Sequence, residues 1–282
     1  MGNDKDDKYS TEIFKVFNSY DLWIDFKSQN NYILQESYRE LILRKIKSFG
    51  ILDVLTNERI PPNEIKIDST NYRETLSARN LISRTRAVLL VLKKIYKDNI
   101  EKLKNLKIYS PEALTPFALY MRGHFPFYLG SEYGKSPEEL FPIPMEDIQN
   151  LSFKNDSFDC VIVNDIFEHI PFLEKALNEI RRVLKPNGFL ISTFPFAYNN
   201  KKTITKAYIN PEGRIVYLTS PEYHPDPIND QGALVFQIPG WDILEKVVSA
   251  GFTRAELIFI VSADYGILAP EISGIFVLLA YK

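Results

Sequence analysis

The stretch from Met145 to Phe196, MEDIQNLSFKNDSFDCVIVNDIFEHIPFLEKALNEIRRVLKPNGFLISTFPF, constrains the fold more than any other part of the chain. Asp159–Asn164 is a near-continuous apolar run, the pattern of a strand buried on both faces of a parallel sheet. An acidic turn follows. Leu173, Leu177, Ile180 and Leu184 then recur at the spacing of one helix face. Lys185-Pro186-Asn187-Gly188 ends that helix: the lysine suits its negative end, and glycine supplies the backbone freedom to leave it. Phe189–Phe194 is a second apolar strand. The unit is βαβ, with ligand chemistry expected beyond the carboxyl end of its first strand.

The same rhythm extends on both sides. Leu106–Ser110 is predicted as a short strand, Thr115-Pro116 as an N-cap followed by proline at the first helical position, and the helix runs to about Arg122. Phe127–Tyr133 is the next strand. Trp241–Ala250 is a helix ended by Gly251, and Ala255–Val261 and Gly274–Tyr281 are closing strands that should pair antiparallel, since no helix fits between them. Before this lies a helical region. The apolar residues of Thr11–Phe49 recur at helical spacing, with Ile13, Val16 and Phe17 on one stripe and Tyr38, Leu41, Ile42 and Ile46 on another. Pro61 and Pro62 mark a break in the irregular stretch 51–72, and Leu76–Lys97 is again helical. Residues 1–10 are polar and expected to be disordered. The division expected is 1–102, an α-rich N-terminal region serving as lid, dimer surface or recognition element, and 103–282, an α/β doubly wound sheet.

Composition narrows the function. Lys and Arg number 34 against 36 Asp and Glu, so no global field favours nucleic acid or membrane. The single cysteine, Cys160, sits in an apolar run and excludes an internal disulfide or a cysteine-based zinc site. No apolar run reaches membrane-spanning length, and MGNDKDDKYS has neither the apolar core of a signal peptide nor the myristoylation pattern. A cytoplasmic protein without nucleic-acid or membrane partners is expected, and a homodimer is compatible with the sequence.

Residues 145–196 resemble the second half of the class I S-adenosylmethionine (SAM) dependent methyltransferase fold, and the wider likeness, of the type 11 kind, covers about residues 105–282. The resemblance implies a seven-stranded Rossmann-like sheet, SAM as cofactor, and four strand ends that matter. After the first strand the family carries E/D-x-G-x-G-x-G; here the sequence is Tyr109-Ser110-Pro111-Glu112-Ala113-Leu114-Thr115, without a glycine. Glu112 keeps a polar residue for the SAM amino group, or the segment is merely a strand-to-helix connection. Glu132 stands where an acidic residue grips the ribose diol, a task suited to a carboxylate with two acceptor oxygens; the alternative is a solvated glutamate. Asp147 and Ile148 match the segment that binds the adenine amino group and packs on its ring, or belong to a polar loop. Asn164 and Asp165 end the strand facing the methyl-transfer cleft, within a D-x-x-E-H pattern completed by Glu168 and His169. Those last two serve as a base or as structural residues opening the next helix.

His224 lies in Pro221-Glu222-Tyr223-His224-Pro225-Asp226-Pro227, resembling a P-E-Y-H segment of some relatives. Prolines stiffen that loop, and imidazole accepts protons near neutral pH. It is a candidate base or a structural histidine. The aromatic segment Phe194–Tyr198 is a second candidate for substrate contact, and His124 is expected to cap a helix. Arg79, Arg84 and Arg86 either clamp an anion or lace a helix face with salt bridges. No metal is expected. The implied activity is SAM-dependent O- or N-methylation of a small molecule or saccharide, with Asp165, His224 and His169 as candidate catalytic residues. Glu112, Glu132, Asp147, Ile148 and Asn164 are the candidate cofactor contacts. The alternative is a SAM-fold protein that has lost methyl transfer and binds another ligand, catalyses another reaction or serves as a partner subunit.

Overall fold

The computed structural model describes residues 9–97, 99–134, 136, 138, 141–226 and 228–282. The expectation for residues 1–8 and the last proline of the His224 loop, Pro227, lie outside them. Contacts group the chain into two compact units, 1–100 with 257–277, and 101–256 with 278–282.

A seven-stranded sheet organises the chain. Its strands are β1 (Glu12–Phe17), β2 (Ile108–Ser110), β3 (Tyr128–Gly130), β4 (Phe158–Asn164), β5 (Leu184–Thr193), β6 (Arg254–Ser262) and β7 (Ile275–Tyr281), in the order β1-β6-β7-β5-β4-β2-β3. The pairs β2–β3, β2–β4 and β4–β5 are parallel, whereas β5–β7 and β1–β6 are antiparallel. Parallel strands need crossovers, and helices α4 (Pro116–His124) and α5 (Leu173–Val183) supply them. This is the expected α/β Rossmann-like methyltransferase fold.

Local chemistry explains the second unit's elements. The Thr115 hydroxyl caps α4 by accepting from the Ala118 amide at 3.1 Å, with Pro116 leading the helix. Leu173, Ala176, Leu177, Ile180 and Val183 form the buried stripe of α5. The helix stops where expected, and Asn187 takes a left-handed φ of 64° at the irregularity of β5 between Leu184 and Phe189. Cys160 is buried in β4, as its apolar neighbours required, and burial pushes its thiol pKa up.

In the first unit, β1 corrects the helical expectation for residues 12–17. Glu-Ile-Phe-Lys-Val-Phe is short and rich in β-branched and aromatic side chains, and its six residues gain a full antiparallel ladder against Leu257–Ser262. Helix α1 (Tyr20–Gln29) begins only after Ser19, whose hydroxyl caps the Leu22 amide. Trp23 is fully buried, edge-on to Phe17 at 5.5 Å and to Phe276 at 4.9 Å. Burying a side chain of that size contributes a few kcal/mol. Helix α2 (Glu36–Phe49) buries Tyr38, Leu41, Ile42 and Ile46, the predicted stripe. Residues 76–78 form a strand rather than helix, and α3 spans Ser83–Ile95.

The three arginines do not form an anion clamp. Arg84 makes a two-point ion pair with Glu74, and Arg79 pairs with Glu58 and Glu64. Arg86 is buried and donates to the carbonyls of Leu76, Leu81, Tyr265 and Gly266. Burial pulls its pKa down to about 9, which still leaves it charged at neutral pH.

Candidate functional site

The ends of β2, β3, β4 and β5 bring three predicted residues together, Glu112, Glu132 and Asn164. Glu112 follows β2 and is buried. Its Oε1 accepts from Asn164 Nδ2 at 2.6 Å and from the Ser110 hydroxyl at 3.3 Å, and its Oε2 accepts from the Thr115 hydroxyl at 2.7 Å. The Thr193 hydroxyl lies 3.4 Å from Asn164 Oδ1, so a polar chain links β2, β4 and β5. Glu132, just past β3, accepts from the amides of Ala113 and Leu114 at 2.7 and 2.8 Å. Both bonds fall on Oε1.

The glycine required by close packing is not in the first loop but on β3. A Cβ at Gly130 would stand 2.5 Å from the Glu112 carbonyl oxygen, so only glycine lets β3 and the loop approach this closely. The sequence carries no local sign of this requirement, because it arises from a contact with the Glu112 carbonyl and not from a turn.

After Glu132 a single parallel bridge to Met145 extends the edge, supported by Glu132 N–H to Pro144 O at 2.9 Å and Glu146 N–H to Glu132 O at 3.0 Å. This bridge carries Asp147 and Ile148 into the turn that follows. Asp147 Oδ1 accepts from the Gln149 amide at 2.8 Å and from its side-chain nitrogen at 3.3 Å. Ile148 is buried. Gln149 Oε1 is buried and accepts no hydrogen bond among the described residues. An acceptor in that condition is costly unless a ligand donates to it. Nothing in the sequence singled it out beyond its place beside Asp147.

Asp165 turns the chain at the end of β4 with φ of 49°, a left-handed conformation that aspartate tolerates better than most residues, and its amide donates to Thr193 O at 2.8 Å. Beyond it, residues 167–169 form one 3₁₀ turn, and α5 starts only at Leu173. Glu168 therefore does not open that helix, contrary to the structural role expected. It is fully buried, and both its carboxylate oxygens lack a hydrogen bond among the described residues.

His169 and His224 stand beside this carboxylate. His169 Nε2 is 3.7 Å and His224 Nδ1 is 3.6 Å from Glu168 Oε1. His224 comes from a short hairpin in which Tyr223 and His224 pair with Leu234 and Ala233. Interaction with Glu168 holds the His224 pKa above the ordinary imidazole value, with Glu222 adding a smaller push. Glu222 in turn is held below the usual carboxylate range by Lys206.

Two other expectations resolve simply. His124 Nδ1 contacts the Tyr120 carbonyl at 2.9 Å at the end of α4, in keeping with a helix-end role. In the aromatic segment, Phe194 stacks on Phe167 with ring centroids 5.9 Å apart, and the Trp241 indole donates to Tyr198 O at 2.9 Å.

Residues 131–192 match the family model of the methyltransferase domain. Over that segment the chain is similar to the methyltransferase domain. The match begins one residue before Glu132 and ends at the tip of β5, spanning Asp147, Asn164, Asp165, Glu168 and His169. Among curated proteins, an uncharacterized protein of Methanocaldococcus jannaschii is 51% identical over 45 residues, 16% of this chain and 20% of the relative. The ubiquinone/menaquinone biosynthesis C-methyltransferase of Methylococcus capsulatus is 37% identical over 62 residues, 22% of this chain and 25% of the relative. The chain thus aligns with a quarter or less of these relatives' lengths.

Solved structures similar to the chain include an S-adenosylmethionine dependent methyltransferase of Mesorhizobium loti (12% identity, TM-score 0.44, 69% of this chain and 98% of that one). Another is a Burkholderia thailandensis 1,6-didemethyltoxoflavin-N1-methyltransferase with bound S-adenosylhomocysteine (13% identity, TM-score 0.40, 70% and 77%). No helix among the described residues is long and apolar enough to cross a membrane.

Proposed function

We propose that this chain binds S-adenosylmethionine across the tips of β2, β3 and β4 and transfers its methyl group to a small-molecule or saccharide acceptor in the cytoplasm. The observation that carries the reading is the coincidence of the family segment with the strand-tip carboxylates and with the Gln149 acceptor beside Asp147, unpartnered among the described residues.

When bound, the cofactor supplies an electrophilic methyl group on a sulfonium. The chain's own residues hold and orient. Glu132 keeps the first loop in place through Oε1 and offers Oε2 to a ribose hydroxyl. Asp147 and Gln149 Oε1 offer acceptors to an adenine amino group, and Ile148 provides an apolar wall. Glu112 and Asn164, bonded to each other, form the polar floor under the methionine end. Asp165 is the proton acceptor for a hydroxyl or amine, with His169 and His224 as the alternative bases. Such methyl transfer depends chiefly on alignment, which rigid strand tips provide.

Calorimetry and thermal melting with SAM and S-adenosylhomocysteine test this reading. One-to-one binding and a raised melting temperature are expected. The absence of both heat and thermal shift at millimolar ligand would remove it.

One feature favours the second reading, a fold that has given up methyl transfer: Glu132 is already engaged with a loop that has no glycine. Mass spectrometry of the purified protein distinguishes the two, because a co-purified ligand other than SAM or its demethylated product supports the second.

A further inference from the structure

We propose that Glu168, His169 and His224 bind a divalent first-row transition-metal ion of the zinc type. The proposal does not depend on SAM binding, and it reassigns the two histidines from bases to ligands.

The starting point is an electrostatic problem. Glu168 is 0% exposed, and neither oxygen accepts a hydrogen bond among the described residues. A buried carboxylate in that state costs several kcal/mol unless a cation neutralises it. No lysine or arginine among the described residues makes an ion pair with it; the groups facing it are imidazoles.

The tautomers of those imidazoles are set from behind. His169 Nδ1 lies 2.9 Å from the Leu234 carbonyl, which only accepts, so Nδ1 carries the proton and Nε2 presents a lone pair towards Glu168. His224 Nε2 lies 3.3 Å from a Glu222 carboxylate oxygen, which also only accepts, so Nδ1 presents its lone pair to Glu168. Three lone-pair donors therefore converge with no proton between them in the neutral state. A metal ion resolves that arrangement, and the backing carbonyl and carboxylate are the outer partners that orient metal-bound histidines.

The spacing agrees. One donor atom from each of the three residues lies within 4.8 Å of the other two, and the two nitrogen-to-oxygen gaps are 3.6 and 3.7 Å. Ligands about 2.1 Å from a tetrahedral ion stand about 3.4 Å apart, so modest inward movement completes the site. The hairpin contributes twice, with His224 on one strand and the Leu234 carbonyl that fixes His169 on the other. Lys206 anchors Glu222 by an ion pair. Two imidazoles with one carboxylate favour zinc-like ions over magnesium or calcium. The imidazoles are partly exposed, 16% and 29%, which leaves a fourth position for water or an oxygen donor of a ligand.

The chain has three histidines, and His124 lies outside the cluster, which provides an internal control. Full-length protein, stripped with a chelator, is titrated with Zn²⁺ against a chromogenic competitor and with Co²⁺ by visible absorption. One equivalent of Zn²⁺ and a cobalt spectrum of low coordination number are expected. E168Q, H169Q and H224N should each weaken binding by more than about tenfold, and H124N should leave it unchanged. E222Q, which keeps all three ligands, should weaken it less than they do. Circular dichroism confirms that each variant is folded, and H224N, in a surface hairpin, preserves the test if E168Q does not fold. Failure of the wild type to bind stoichiometrically overturns the proposal, as does equal affinity in the folded ligand variants. Metal-free wild type would mean that the His224 imidazole, whose pKa Glu168 raises, neutralises the carboxylate instead.

Discussion

Arg86 and Glu168 are both ionisable and both buried, one in each compact unit, yet their surroundings are opposite. Arg86 is saturated by four backbone carbonyls drawn from residues 76–81 and 265–266. Glu168 has two imidazoles at 3.6 and 3.7 Å and no hydrogen bond among the described residues. A satisfied buried charge fastens structure together, whereas an unsatisfied one is held ready for something else. The same contrast separates the arginine-rich segment, which sequence alone could read as an anion clamp, from the strand tips. Every arginine there is spent on internal partners, while Gln149 Oε1 beside Asp147 has none among the described residues.

The largest expected effect probes the satisfied side. R86M strands four carbonyls in the first unit and should destabilise the protein by about 3–5 kcal/mol, measured by urea unfolding. A loss below one kcal/mol would mean that the carbonyl cage is not structural. Next comes G130A: its Cβ meets backbone at 2.5 Å, so the first loop must move. A cost of about 1–3 kcal/mol with loss of SAM affinity is expected, and unchanged affinity would disconnect that loop from the cofactor.

E168Q addresses the other half of the comparison. In metal-free protein it removes a buried carboxyl group that accepts no hydrogen bond among the described residues, so stability should stay level or rise by about 1 kcal/mol. A fall comparable to that of R86M would show Glu168 to be a structural anchor and end the contrast.

D147A should weaken SAM binding by about tenfold, the value of one lost hydrogen bond in a shielded site, and should cost the free protein about 1 kcal/mol through the lost bonds to Gln149.

The smallest effect concerns Glu12 on β1. Burial raises its pKa against the opposing hydrogen bonds from Ser262 and Asp264. A carboxyl group whose folded pKa is raised contributes stability that is complete below its ordinary value near 4.5 and is lost as pH rises through the folded pKa. E12Q should therefore flatten the stability profile from about pH 4.5 upward, and an unchanged profile would contradict the assignment.

How legible the molecule was in its sequence follows from how local each signal is. The strand β4, helix α5 and the cap at Thr115 were readable because apolar periodicity and capping act within a few residues. The strand ends then placed Glu112, Glu132, Asp147, Asn164 and Asp165 at one edge of the sheet by topology. Residues 12–17 misled because six residues support a helical and a strand pattern equally well, and the ladder that decides comes from residues 257–262. Gly130 was hidden because its constraint is a contact with the Glu112 carbonyl and not a local turn. The meeting of His224 with Glu168 and His169 was out of reach, since a hairpin far along the chain creates it. Expecting no metal followed from the lack of cysteine pairs, and histidine-carboxylate clusters assembled in space leave no spacing to read.

A crystal structure of the complex with S-adenosylhomocysteine tests the central claim most directly. The nucleoside should lie across β2, β3 and β4, with its ribose on Glu132 Oε2 and its amino group on Asp147 and Gln149. Strand tips that remain closed by the Glu112–Asn164 and Glu132–loop bonds, with the nucleoside elsewhere or unbound, would contradict it.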